Sequence, residues 1–247
     1  MGLQDEIAHR PWPMPSAPWV MAQVWHDLLF AHWSLPADRL RVKVPERLEL
    51  DTFEGRAWLG IVPFRMSGVR LRLLPPLPGL SAFPELNVRT YVRHGDRPGV
   101  LFLSLDARSA LAVAAARAWF HLPYFRARMS CEAEGGAIRY AHERTHAGAP
   151  HARLEACYEP ASPVFHASSG TLEHWLAERY CLYSVAADGA IRRAEIHHAP
   201  WPLQIATAAF TRNTMAEAHG LELPEEPPLL HFARRQDVIV WNPVRIA

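Results

Sequence analysis

Apolar and polar side chains alternate most cleanly over residues 83–92, Phe-Pro-Glu-Leu-Asn-Val-Arg-Thr-Tyr-Val. Successive side chains of a strand point to opposite faces. Leu86, Val88, Thr90 and Val92 therefore share one face, and Glu85, Asn87, Arg89 and Tyr91 share the other. The first face can pack a core. The second sets a carboxylate, an amide, a guanidinium and a phenol in a row within about 20 Å of strand. Such a row either faces water or lines a pocket for a small polar ligand.

Other stretches carry other periods. In residues 19–33, Val20, Val24, Leu28 and Ala31 fall on one helical face with Trp25 and Leu29 beside them, which predicts a helix. Its aromatic residues read as core packing. Before it, Pro11, Pro13, Pro15 and Pro18 hold the chain extended. Residues 48–66 predict a β-hairpin about Glu54-Gly55, and residues 69–73 a further short strand. Pro75, Pro76, Pro78 and Gly79 form a loop leading into residues 83–92. A buried strand is expected over residues 99–105. An alanine-rich helix over residues 107–120 follows, capped by Asp106, with a neighbour packed closely on its small side chains. Pro123 stops it, and Tyr124 comes next. Residues 128–134, 137–145 and 152–159 predict three strands, the first two joined at Gly135-Gly136. A helix starts at Thr171, a hairpin turns at Asp188-Gly189 between residues 180–186 and 190–198, a short helix over residues 212–219 ends at Gly220, and residues 232–241 form a last strand. No linker divides the chain, so residues 1–247 read as one domain.

Composition narrows the function. The 247 residues are 49% hydrophobic and 21% charged, enough for a sizeable core. A net charge of +1 without a basic block argues against nucleic-acid binding. No apolar run of about 18 residues predicts a membrane span, and Asp5, Glu6, His9 and Arg10 interrupt any signal core. Cys131, Cys157 and Cys181 lie far apart, which fits a cytoplasmic protein better than a disulfide framework. Of 26 basic residues only Lys43 is lysine, so only Lys43 or the N-terminus could form a Schiff base.

Several groupings could carry chemistry. His142-Glu143-Arg144-Thr145-His146 fits H-E-x-x-H, which on a helix binds zinc between its histidines and uses the glutamate as base. Here Gly135-Gly136 and the alternation of Ile138, Tyr140 and His142 predict a strand, where Glu143 points away from His142, so a zinc hydrolase is disfavoured and no metal is expected. His197-His198 point to opposite faces for the same reason. Glu195 and His197 share a face, as an acid–base couple or as a surface ion pair. Glu178-Arg179, at the end of a predicted helix, is either structural or a carboxylate clamp. Arg117 on the alanine-rich helix is either solvated or reaches into a cleft. No phosphate loop, nucleophile elbow or thiol motif occurs.

Taken together and in order, the motifs Gln23-Val-Trp-His-Asp-Leu-Leu-Phe-Ala-His-Trp33, Leu50-Asp-Thr-Phe-Glu-Gly-Arg-Ala-Trp58, residues 83–92, Ser104-Leu-Asp-Ala107, Leu122-Pro-Tyr124, Glu178-Arg-Tyr-Cys-Leu-Tyr183 and Ile196-His-His-Ala-Pro-Trp-Pro-Leu-Gln204 resemble the YqjF-like family, domain of unknown function 2071, over nearly the whole chain. That family resembles acetoacetate decarboxylase. The resemblance implies a β-rich α+β fold: a curved, partly closed barrel of mixed strands, a few helices outside, and a small pocket within. In the decarboxylase an arginine stands six residues before a proline, and the catalytic lysine follows that proline. Arg117 and Pro123 keep this spacing, but Tyr124 takes the lysine place. Glu85 corresponds to the pocket glutamate.

A phenol cannot form the Schiff base that decarboxylation requires, so acetoacetate decarboxylation is not expected and no cofactor is implied. The expectation is a pocket for a small anionic or carbonyl ligand. Glu85 and Tyr124 are its proton-transfer pair, and Asn87, Arg89, Tyr91, Arg117, Glu178, Arg179 and His197 its ligand contacts. The alternatives are a non-catalytic binding or sensing module, and an interaction protein. A homo-oligomer stays open.

Overall fold

The longest strands are those apolar on both faces. β1 (Met21–Leu35) and β3 (Ala57–Leu71) each run 15 residues and pair antiparallel. β1 covers the stretch whose spacing predicts a helix. From Leu28 to Trp33 every residue is buried. A strand covered on both sides loses the period of two that marks a half-exposed one. Here Leu29, Ala31 and Trp33 join one apolar cluster and Leu28 and Phe30 another. At Asp27 the backbone turns to φ 53° and the register with β3 slips between His26 and Ala31.

This structure is a computed structural model, and it describes residues 3–77, 79 and 81–246. Pro78, one of the expected loop residues, lies outside them. β2 (Glu49–Leu50) does not form the expected hairpin with β3. It pairs with β4 (Phe83–His94), and Glu54-Gly55 turns only the single bridge Phe53–Arg56. Residues 69–71 continue β3. β4 pairs in turn with β3 and with β5 (Arg97–Ala107).

The chain then crosses over through α2 (Ala110–Trp119, after the short α1, Ala37–Arg41) to β6 (Tyr124–Glu134), which lies parallel to β5. The Ser109 side chain caps α2. Asp106, the expected cap, is a fully buried strand residue with work elsewhere. The alanines of α2 are mostly exposed, and only Val113 is buried, so no close neighbour explains them.

β6, β7 (Ala137–Arg144) and β8 (Arg153–Pro160) form the expected meander. α3 (Leu172–Ala177) begins at a Thr171 cap, and β9 (Cys181–Val185) and β10 (Ile191–His197) form the expected hairpin. β11 (Gln204–Asn213) replaces the first part of the expected helix over residues 212–219, of which a single 3-10 turn (Glu217–His219) remains before Gly220. β12 (Leu229–Val240) returns beside β1, and β13 (Val244–Arg245) adds to β10.

These strands close twice. One ring is a closed nine-strand mixed barrel, β4–β5–β6–β7–β8–β11–β12–β1–β3. Its interior holds Leu29, Ile61, Leu86, Val88, Tyr140, Leu154 and Phe232. The second ring shares β12, β1, β3, β4 and β5 and is completed by β9 and β10: β9 lies parallel to β5, and β10 touches β12 at Ile196–Val240. The β5–β9 approach is tight. A Cβ on Gly99 would stand 2.6 Å from the Cys181 carbonyl oxygen. β4 belongs to both rings, so each of its faces meets a different interior.

Candidate functional site

Leu86 and Val88 face the nine-strand barrel, whereas Glu85, Asn87, Arg89 and Tyr91 face the second ring. β3 sets Phe64 opposite Glu85, Val62 opposite Asn87 and Gly60 opposite Arg89. The polar face is therefore not wet. Glu85 is 2% exposed, Asn87 6% and Tyr91 0%.

Tyr124 reaches the same interior from the start of β6. Leu105 pairs with Tyr124 across the parallel ladder, and Pro123 accepts the Leu105 N–H. Arg117 stays exposed on α2, yet its Nη1 donates to the Tyr124 carbonyl at 2.8 Å. Of its two sequence readings, then, neither free solvation nor a reach into the pocket describes it. It clamps the backbone of Tyr124 from outside.

The Tyr124 hydroxyl donates to Glu85 Oε2 at 2.7 Å. Burial pushes the Glu85 carboxyl up to about 8. The Tyr124 hydrogen bond works against that rise, and the nearby Asp106 charge adds to it. Burial, and after it the Glu85 charge, also holds the Tyr124 phenol well above its usual range. At neutral pH the two groups are a protonated carboxyl beside a phenol. Lys43, the one lysine, is an exposed residue of the loop after α1, near Gly220, and does not approach this pair.

Four residues further along β4, roughly 13 Å away, a second polar group forms. Tyr91 Oη lies 2.7 Å from His32 Nε2 and 3.0 Å from the Leu176 carbonyl that it can donate to. Arg89 Nη2 is 3.4 Å from the same hydroxyl. Arg179, just beyond α3, donates to Asp51 at 2.7 Å and stacks on Trp175 and Tyr91. Burial, and after it the Arg89 charge, holds His32 neutral, well below its ordinary value. His32 was hidden by the helical reading of β1; strand spacing would have placed it across from Gly60. Trp58 and Asp51 carried no signal of their own.

The other sequence candidates lie elsewhere. Glu178 accepts the Trp201 backbone N–H at 2.8 Å and the Tyr180 hydroxyl, a structural role at the end of α3. His197 is fully buried; it stacks on His9 and meets Arg10. Glu195 accepts from Arg10 and from Trp12 Nε1. The Glu195–His197 face thus anchors the segment around Arg10 and is not an exposed ion pair.

His142 and Glu143 sit on β7 as expected of a strand. His142 points inward at 3% exposure, while Glu143 pairs outward with Arg128 and Arg153. His146, past the strand end, accepts from the Arg126 N–H. Inside the barrel, Arg144 grips Asp106 with two hydrogen bonds of 2.7 Å and also reaches Ser104, whose hydroxyl is 3.0 Å from His219. No helix among the described residues is long and apolar enough to cross a membrane.

Comparison with known proteins agrees with this architecture. The family model DUF2071, described as an uncharacterised conserved protein, matches residues 22–237. The uncharacterised protein YqjF of Bacillus subtilis strain 168 is 47% identical over 228 residues, 92% of this chain and 93% of that one. Among solved structures, the enduracididine biosynthesis enzyme MppR, complexed with the condensation product of pyruvate and imidazole 4-carboxaldehyde, superposes with a TM-score of 0.64 at 10% identity, covering 93% of this chain and 90% of that one. Acetoacetate decarboxylase from Legionella pneumophila superposes with a TM-score of 0.62 at 14% identity, covering 100% and 96%. At these identities the structural likeness is one of fold.

Proposed function

Since the chain belongs to the DUF2071 family and has an acetoacetate decarboxylase-like fold, we propose that its second ring holds a small carbonyl compound and exchanges protons with it, without a covalent intermediate. The observation that carries this reading is the buried 2.7 Å hydrogen bond between Tyr124 and Glu85. Tyr124 stands where the decarboxylase resemblance places the nucleophilic lysine. A phenol gives up amine addition but keeps a hydrogen-bond donor aimed at a carbonyl oxygen.

Glu85 supplies the moving proton. A carboxyl that titrates near 8 is matched to acid–base work close to neutrality. As carboxylate it takes a proton from the carbon beside the carbonyl, while the Tyr124 O–H stabilises the resulting enolate oxygen. As carboxylic acid it returns the proton. Neighbours of the same fold handle pyruvate-derived and acetoacetate-type carbonyl compounds, as their names state, which favours that substrate class here.

The test is proton–deuterium exchange at the carbons beside the ketone of pyruvate (its methyl group) and of acetoacetate in heavy water, followed by NMR. The wild type should accelerate exchange, with a rate that rises with pH up to about 8. Glu85→Gln should abolish it and Tyr124→Phe should slow it about a hundredfold. Acetoacetate should release no carbon dioxide above background, and borohydride should trap no adduct. Exchange no faster than in buffer would refute the catalytic reading and leave a binding or sensing module with the same pocket.

A further inference from the structure

We propose that the outer end of the second ring is a monocarboxylate site built from Arg89, His32 and Trp58, separate from the Glu85–Tyr124 pair and independent of the chemistry assigned to it. Three buried nitrogens there lack a hydrogen-bond partner: Arg89 Nε, His32 Nδ1 and Trp58 Nε1. His32 itself is 2% exposed. Burying a donor unpaired costs about 1–3 kcal/mol, so the Arg89 and Trp58 N–H groups call for an occupant with acceptor oxygens.

Two of the three are donors: Trp58 and Arg89 carry N–H groups regardless of surroundings. His32 is neutral. Because the Tyr91 hydroxyl donates to the Leu176 carbonyl, its 2.7 Å contact with His32 places the imidazole proton on Nε2 and leaves Nδ1 an acceptor.

Charge sets the ligand class. Arg179 is neutralised by Asp51. Arg89 has no Asp or Glu within ion-pair distance among the described residues; its guanidinium faces only the Tyr91 hydroxyl and the Leu176 carbonyl, beyond 3.3 Å, and lies over the Phe30 ring. Arg89 therefore keeps an uncompensated positive charge, and Arg56 and Glu226 in the neighbouring cleft add one charge of each sign. That suits a monoanion with two acceptor oxygens better than a phosphate dianion.

Space and access agree. A cleft of about 410 Å³, lined by His32, Trp58, Arg56, Glu226, Pro227 and Leu229, opens beside Arg89, which does not itself line it. Gly60 lets the His32 ring and the Arg89 stem pack closely over its backbone. A Cβ there would stand 3.1 Å from His32 Cδ2 and 3.2 Å from Arg89 Cγ. Because Arg89 lies roughly 13 Å along β4 from Glu85, a ligand that engages both centres is elongated, with its acid end at the cleft.

The experiment follows the indole N–H of Trp58, identified by its absence in Trp58→Phe, in nitrogen–proton NMR spectra of the full chain titrated with sodium propionate and with propionamide. Propionate should move that resonance saturably downfield, and the uncharged amide should not. Trp58→Phe should bind propionate about tenfold or more weakly, the worth of a hydrogen bond to a charged group, and Arg89→Gln weaker still. Glu85→Gln should bind as the wild type does, so loss of α-proton exchange with this binding intact separates the two centres. An unmoved Trp58 resonance, an equal response to propionamide, or undiminished binding by Trp58→Phe would each overturn the site.

Discussion

Replacing Glu85 with Gln should make the protein more stable at neutral and alkaline pH and leave it unchanged in acid. Glutamine keeps the shape of the side chain and an oxygen to accept from Tyr124, but it cannot ionise. In the wild type the folded carboxyl titrates near 8, against 4.5 for an unperturbed glutamate. Because the folded value is raised, the contribution is fully favourable below 4.5, where folded and unfolded chains both hold the proton. Between 4.5 and about 8 the unfolded chain releases its proton and the folded chain does not, so the wild type loses about 1.4 kcal/mol per pH unit. The accumulated loss is about 3 kcal/mol at pH 7 and about 5 kcal/mol above pH 8. Urea unfolding of both proteins from pH 4.5 to pH 9, with equal slopes against denaturant, measures it directly. The two stability curves should diverge steadily and then run parallel. Curves that stay parallel throughout, or that part only around 4.5, would show that Glu85 ionises as an ordinary surface carboxylate, and the acid–base reading would lose its foundation.

Other substitutions probe the scaffold. Asp106→Asn leaves Arg144 buried against a neutral group and should cost about 3–5 kcal/mol in denaturant unfolding. In the wild type, hydrogen bonds from Arg144 and His142 outweigh the upward push of burial and keep the Asp106 carboxyl below 3.8, so its stabilisation is complete above that pH and fades only as pH falls through the folded value. Gly99→Ala forces a methyl group against the Cys181 carbonyl and should lower stability by about 1–3 kcal/mol, read as a fall in the thermal midpoint; an unchanged midpoint would mean that β5 and β9 are not in contact. One equivalent of zinc should leave the midpoint where it was, and a saturable rise abolished by His142→Ala would reinstate the metal reading of that motif.

The sequence was most legible where one face of an element meets water or a sharp turn. β6, β7 and β8 alternate outward and inward and Gly135-Gly136 marks the first of their turns, as Asp188-Gly189 marks that of β9 and β10, so these strands were readable with their faces. β1 was not. Leu28 and Leu29 are buried in different interiors, and such adjacency mimics helical crowding. The helical reading also hid His32, and with it the second polar group. Glu85 stands out by strand alternation, but its link to Tyr124 comes only through the family resemblance, because residues 39 positions apart show no local pattern. Arg117 keeps its spacing to Pro123, and its guanidinium holds the Tyr124 carbonyl.

The pairing of residues 21–32 with residues 229–240 has a bearing on how the chain reaches this state. β12 is the strand through which both rings shut, and it follows every other strand of the two rings in chain order. Until it arrives, β1, β3 and β4 form a meander whose β1 edge is unpaired and apolar on both sides, the kind of surface that seeds association between chains. Contacts so distant in sequence also form slowly. Folding is therefore expected to finish in one late step after residue 240 has emerged, with both interiors sealed together, and refolding yield should fall steeply as protein concentration rises.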